Sequence, residues 1–398
     1  MAGRGRVSGA VASCVLLLVS LVGCAGRPAR DTAADAVQRV LDRRAAAVLH
    51  RDAAAYRATG TEAAGTTALG NLREVPLAAW SYRLTGFHRT GDTATADADL
   101  GYRIEGYDRA PLTAARTLRL TRDEGRWHVV SDRPAGKAAE QLWEQGPVRT
   151  VRGEHSLVLG VGQSAETLRG YARLADRAVP AVSRTWGTDW SGHVVVLVPK
   201  SLDGMAGLLG AAASGYRGIA AVTTGEAGAS ARAPADRIIV NPEAYGVLGA
   251  LGRQVVLTHE TTHVATRAHT TAATPLWLSE GYADWAGYLG SGRPATEVAP
   301  ELERAVVDGR LPAGLPEDAD FGFTGDAARL ARAYESGWLA CRLIADRWGE
   351  VRLNEFYRAV GEHRQRAGAV EAALRDVLHT SPEEFTGQWR DYLRAQLG

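Results

Sequence analysis

Cysteine is the first scarcity in this 398-residue chain, with only Cys14, Cys24 and Cys341 present. No cysteine cage for a structural metal can be assembled from so few thiols. Charge of one sign is missing as well. Lys+Arg total 46 against Asp+Glu 45, a net charge of +1 that falls to about −1 without Arg4 and Arg6, so the chain has no nucleic-acid footprint. Lysine occurs only at Lys137 and Lys200, a bias towards arginine that carries no mechanistic weight. Long apolar runs are also lacking, since the longest candidate, Ala10 to Val22, is too short to span a bilayer as a helix. With hydrophobic residues at 45% and charged residues at 23%, wholesale disorder, a coiled coil and a multi-span membrane protein are all disfavoured. At this length two or three folded domains are expected.

The short apolar run does have a use. Arg4 and Arg6 precede it and small residues follow, the order of a secretory signal. It ends in Leu21-Val22-Gly23-Cys24, which resembles the bacterial lipobox, where the leader is cut before an acylated cysteine. The implied mature chain begins at lipidated Cys24 on the extracytoplasmic face of the cell membrane, held by a two-chain anchor. Cys14 leaves with the leader, and Cys341, inside the apolar pattern Trp338 to Ile344, reads as a buried small hydrophobe.

Beyond the leader (1–23) and a linker (24–33), Ala33 to His50 puts Ala36, Val37, Val40, Leu41, Ala45 and Val48 on one helical face. Leu77 to Phe87, Ala94 to Ile104, Ala114 to Thr121 and Arg126 to Ser131 then read as strands. Arg89-Thr90-Gly91-Asp92 and Arg122-Asp123-Glu124-Gly125 serve as hairpin turns. A helix followed by an antiparallel meander over 34–134 resembles the cone-shaped nuclear-transport-factor-two-like, or SnoaL-like, α+β domains. No acid–base pair is visible in it, which favours a binding or spacer role. A polar connector follows (135–153). From residue 154 to 398 strands precede helices, again α+β: a small mixed sheet with a helical C-terminal part. Pro180 is expected to bend the helix at Ala165 to Trp186. The stretch Gly290 to Asp326, rich in Gly, Pro and Asp, reads as a long loop that either covers a cleft or forms a surface insertion.

Chemistry concentrates in His259-Glu260-Thr261-Thr262-His263. Histidines four apart stand about 40° apart around a helix, so both imidazoles leave one face and can share a tetrahedral metal. The glutamate between them points beside the metal and is placed to act as a general base. Glu280 follows 17 positions after His263, far enough for a loop and a returning helix, and is the natural third ligand. Asp284, four residues later on the same face, is placed to accept a hydrogen bond from the outer nitrogen of a liganding imidazole. Two histidines, one glutamate and an open position make the catalytic zinc arrangement, here with one Zn2+ per chain.

Together, His259 to His263, Glu280, Asp284 and the phrase Pro275-Leu276-Trp277-Leu278-Ser279-Glu280-Gly281 resemble the gluzincin zinc metallopeptidases, the thermolysin and aminopeptidase-N group. The resemblance covers residues 154 to 398. It implies zinc on His259, His263 and Glu280, with Glu260 as general base and Asp284 orienting a ligand. Tyr334 stands where related enzymes place an oxyanion-stabilising hydroxyl, although packing on an amphipathic helix explains it equally well. By the same analogy Ala220, Ala221 and Val222 belong to an edge strand that pairs with extended substrate. Aminopeptidases of the group carry a glutamate there to hold the substrate's amine; this stretch has none, which argues against exopeptidase activity. The expected activity is hydrolysis of peptide bonds in a peptide or protein. Its rivals are a catalytically inactive surface scaffold and a zinc hydrolase of non-peptide amides or cell-wall peptides.

Overall fold

A computed structural model describes residues 32–62, 67–225, 235–322 and 326–398. The leader and Cys24 lie outside the described residues. The chain opens with α1 (Thr32–Leu49), α2 (Ala53–Ala58) and α3 (Thr67–Asn71). Next come β1 (Leu77–Thr90), β2 (Thr93–Ile104), β3 (Leu112–Asp123) and β4 (Arg126–Pro134), an antiparallel sheet in that order. Along β2 the inward positions Ala94, Ala96, Ala98, Leu100, Tyr102 and Ile104 alternate with outward ones, the period-two pattern of a sheet covered on one face. The cover is helical, with Val37, Val40, Leu41 and Val48 of α1 buried in the same core. The β3–β4 hairpin closes on Glu124 and Gly125, both at positive φ (46° and 79°), the two-residue turn whose twist suits a hairpin. Sequence periodicity reaches none of α2 or α3, which are too short to show a face.

A second, mixed sheet runs β5 (Val148–Arg152), β6 (Ser156–Val161), β7 (Val194–Val198), β9 (Arg237–Val240) and β8 (Ala221–Thr223) in spatial order. β6, β7 and β9 are mutually parallel neighbours, and β5 and β8 are antiparallel edges. The central strands are continuous apolar runs because both faces are covered. Val158, Val194, Val196, Val198, Ile238 and Val240 face α4 (Ala165–Trp186) and share its core. The alternate residues Leu157, Leu159, Val161, Val195 and Ile239 belong instead to the core built under the first sheet. Asp108, after β2, adds a polar tie: both its oxygens receive Arg237 Nη atoms of β9, at 2.9 and 2.8 Å, with both side chains almost wholly buried. Breaking such a pair strands a buried charge, typically at about 3–5 kcal/mol.

Two boundaries differ from the sequence reading. β5 lies inside the stretch read as a polar connector, because Arg149 and Arg152 mask a short edge strand whose Val148 is buried. Gly290 to Asp326 is not one loop: it holds α9 (Ala295–Val298) and α10 (Pro300–Val307), and Pro300 sits at the first helical turn, where its missing N–H costs nothing. α4 runs unbroken through Pro180.

After α5 (Leu202–Leu209) and α6 (Pro242–Gly246), the remaining helices form a third core. They are α7 (Ala250–Thr266), α8 (Leu276–Tyr288), α11 (Ala327–Trp348), α12 (Glu350–Glu362), α13 (Ala369–Val377) and α14 (Pro382–Leu397). Tyr282, Phe356, Tyr357, Phe385 and Trp389 fill this core. Cys341 is fully buried in it and free. Among the described residues no helix is long and apolar enough to cross a membrane.

Candidate metal centre

α7 is unusual for a buried helix in carrying four threonines, at positions 258, 261, 262 and 266, with a fifth, Thr270, beyond its end. They are tolerated because their hydroxyls bond back one turn: Thr258 to Gln254 O (2.9 Å), Thr261 to Leu257 O (2.6 Å) and Thr262 to Thr258 O (2.8 Å). With its polar atoms satisfied internally, α7 packs between α4 and α8 and turns His259 and His263 to one side.

Their Nε2 atoms stand 3.0 Å apart. Glu280 Oε2 of α8 is 3.3 Å from His259 Nε2 and 3.5 Å from His263 Nε2. Zinc bonds of about 2.0–2.1 Å in a tetrahedron set ligand atoms about 3.3 Å from one another. The three donor atoms therefore already stand at the edges that a single zinc would impose, and the donor set, two imidazoles and a carboxylate, suits that ion. His259, His263 and Glu280 form the one His/Cys/Asp/Glu cluster of metal-binding geometry found among the described residues. Asp284 Oδ1 accepts from His259 Nδ1 at 2.8 Å, which fixes the ring with its Nε2 turned towards the cluster. Burial opposes charge on His259, but Asp284 and the nearby Glu280 and Glu260 carboxylates raise its pKa well above the ordinary value. Glu280 shifts the other way: burial pushes up, and the two imidazoles pull it well below the carboxylate range.

The cluster opens into a cavity of about 730 Å³ whose wall also includes Glu260, Tyr334 and the segment Gly218–Thr223. Glu260 is buried but is not part of the three-atom cluster. Tyr334, on α11, has its hydroxyl pKa raised by burial and then by Glu280, Asp284 and Glu260, so it stays protonated and available as a donor. Its ring also packs edge-on against Phe321, so the packing role exists beside any other. Ala221 and Val222 lie in β8, the outermost strand of the second sheet, and Ala220 immediately precedes it.

Two residues of the wall escape the sequence reading. Thr223, the last residue of β8, donates its hydroxyl to Glu260 Oε2 at 2.6 Å. No local pattern marks it, because the contact joins residues 37 apart. Glu335, next to Tyr334, accepts from the backbone N–H of Leu302 (2.6 Å) and Glu301 (3.3 Å), and so caps the N-terminus of α10. Burial lifts its carboxyl to about 7, against the pull of those two donors. The folded pKa therefore exceeds the unfolded one. The resulting stabilisation is full below the unfolded value and is lost as pH rises through about 7. The stability advantage of wild type over Glu335→Gln should accordingly shrink between about pH 5 and 8, read from paired melting curves; a difference flat in pH would refute it.

No protein-family model matches the chain, and no curated protein matches its sequence. Among solved structures it is similar to a variant of a two-domain M1 zinc metallopeptidase bound to L-arginine, at 14% identity and a TM-score of 0.38 over 77% of this chain and 62% of that one. It is similar also to the M1 zinc metallopeptidase from Deinococcus radiodurans, at 14% identity and a TM-score of 0.35 over 81% and 62%. Native yeast LTA4 hydrolase overlaps at 10% identity and a TM-score of 0.39 over 76% and 51%. The chain thus spans about three-fifths of the length of these two metallopeptidases and half of the yeast hydrolase's. At such scores the overlap of folds is partial, and the chemistry rests on the site's own geometry.

Proposed function

We propose that this chain is a membrane-anchored, zinc-dependent metallopeptidase, with zinc held by His259, His263 and Glu280. The carrying observation is the set of donor separations, 3.0, 3.3 and 3.5 Å, in the wall of a cavity also lined by a buried glutamate outside the ligand set. When bound, zinc supplies Lewis-acid polarisation of a carbonyl and lowers the pKa of water. The chain's own residues supply the rest. Asp284 holds the His259 ring. Glu260 takes the proton from the attacking water at a carboxylate oxygen and returns it to the leaving amine as the C–N bond breaks. Thr223 fixes one oxygen of that carboxylate, which limits its rotation and leaves the other free. Tyr334 offers a neutral hydroxyl to the developing oxyanion.

The β8 edge, with no acidic residue from Gly218 to Thr223, offers main-chain pairing to an extended peptide and no anchor for a terminal amine. We infer an endopeptidase rather than an aminopeptidase. Anchoring through Cys24, and a first domain of the nuclear-transport-factor-two-like kind, belong to the same proposal. One experiment addresses the whole: the full-length protein, expressed in a bacterium, is fractionated, assayed for metal and digested against a peptide library. The expected result is wild type in the membrane fraction and Cys24→Ala released from it, both with stoichiometric zinc, cleaving internal bonds until chelator is added. Protein that folds without zinc, or holds zinc and cleaves nothing, would sink the peptidase reading.

A further inference from the structure

The first domain contains a cavity of its own, about 360 Å³, between α1 to α3 and the first sheet. That is room for about a dozen waters or one small organic molecule. Its wall carries two arginines that are each only 4% exposed, Arg44 and Arg116. Arg116 is answered by carboxylates: Nε bonds Asp132 (2.7 Å) and Nη2 bonds Glu144 (2.7 Å). Arg44 is not. Its Nη1 donates to Thr59 Oγ1 (3.2 Å) and its Nη2 to the Tyr56 hydroxyl, while its guanidinium carbon lies 3.8 Å over the Tyr56 ring. These partners are neutral, and Asp132 and Glu144 are occupied elsewhere, by Arg116, the Tyr82 hydroxyl (2.6 Å) and the Gln141 amide (2.7 Å). The two carboxylates balance the two guanidiniums in number, but their ion pairs go to Arg116, so among the described residues Arg44 contacts no carboxylate and keeps donor capacity for one.

The unpaired polar atoms point the same way. Among the described residues, the wall's buried side-chain atoms without a hydrogen-bond partner are Arg44 Nε, Arg116 Nη1 and Trp80 Nε1. All three are N–H donors, so the deficit in this wall is of acceptors. The same wall also carries apolar surface from Val48, Leu72, Leu100, Trp80 and Trp143. We propose that this cavity is a binding site for a small carboxylate with an apolar or aromatic body, its oxygens on Arg44 and its body against Trp80 and Trp143. The site shares no lining residue with the cavity at the metal centre.

Phenylacetate is a suitable probe and phenylacetamide its neutral isostere, each titrated calorimetrically into the full chain. Wild type should bind phenylacetate saturably, with quenching of tryptophan fluorescence, and the amide at least about tenfold more weakly, the usual worth of a charge-assisted hydrogen bond. Arg44→Met should lose a similar factor for phenylacetate. Because carboxylates also bind zinc, phenylacetate binding that survives undiminished in Arg44→Met belongs to the other site and overturns the assignment. Equal binding of acid and amide by wild type overturns it too, and that comparison needs no variant to fold. Absence of any saturable binding does the same.

Discussion

Glu260→Gln is expected to lose about 10²–10⁴-fold in kcat, the range a positioned general base contributes, while zinc stays bound. The two halves of this expectation rest on different observations. Glu260 lies outside the cluster of His259, His263 and Glu280, so replacing its carboxylate by an amide removes no ligand. The amide keeps the shape and can still accept the Thr223 hydroxyl that reaches Oε2 at 2.6 Å. What it cannot do is take up a proton. The loss should therefore appear in kcat with KM little changed, since peptide pairing along β8 is untouched. Metal content by mass spectrometry and single-turnover cleavage check both parts. A variant that cleaves at the wild-type rate would remove Glu260 from the mechanism, and one that loses zinc would mean that the carboxylate supports the metal instead.

How much of this was legible in the sequence depends on how local each feature is. The helical repeat alone puts His259 and His263 on one face, and a 17-residue interval leaves room for Glu280 to return on a second helix. The strands of the first sheet show themselves by alternation, as along β2, because only one face is covered. His193 to Val198 reads as a buried strand, but nothing in it says that the first domain supplies half of the cover. Thr223 and Glu335 are invisible for the same reason: each matters through contacts with residues more than thirty positions away. The proline at 300 misleads, since the same residue type marks loops and helix starts, and only the buried Leu302 and Ala305 decide between them.

Gly281→Ala tests how the ligand helix is held, and here two physical effects have opposite signs. In an exposed helix interior alanine is favoured over glycine by about 1 kcal/mol, so propensity alone predicts a more stable protein. Packing predicts the reverse. A Cβ at Gly281 would overlap the carbonyl group of Gly337 on α11 and lie 2.9 Å from its Cα; a Cβ at Gly337 would lie 2.6 Å from Trp277 O of α8. Both obstacles are backbone, so no side chain can rotate away, and α8 and α11 have to separate. Overpacking of this kind costs about 1–3 kcal/mol and more where backbone is involved, which outweighs the propensity gain. Because Glu280 immediately precedes Gly281, the same displacement carries Oε2 away from the two imidazoles, and zinc affinity should fall with stability. Gly170→Ala is the control: it lies within α4, where the nearest atom to an added Cβ is the Arg173 Nη2 at 4.0 Å, so propensity acts there unopposed. Urea midpoints should move down for Gly281→Ala and stay level or rise for Gly170→Ala. If the two shift together, the glycine contact does not hold α8 against α11, and the position of Glu280 must be fixed by the aromatic core around Tyr282 instead.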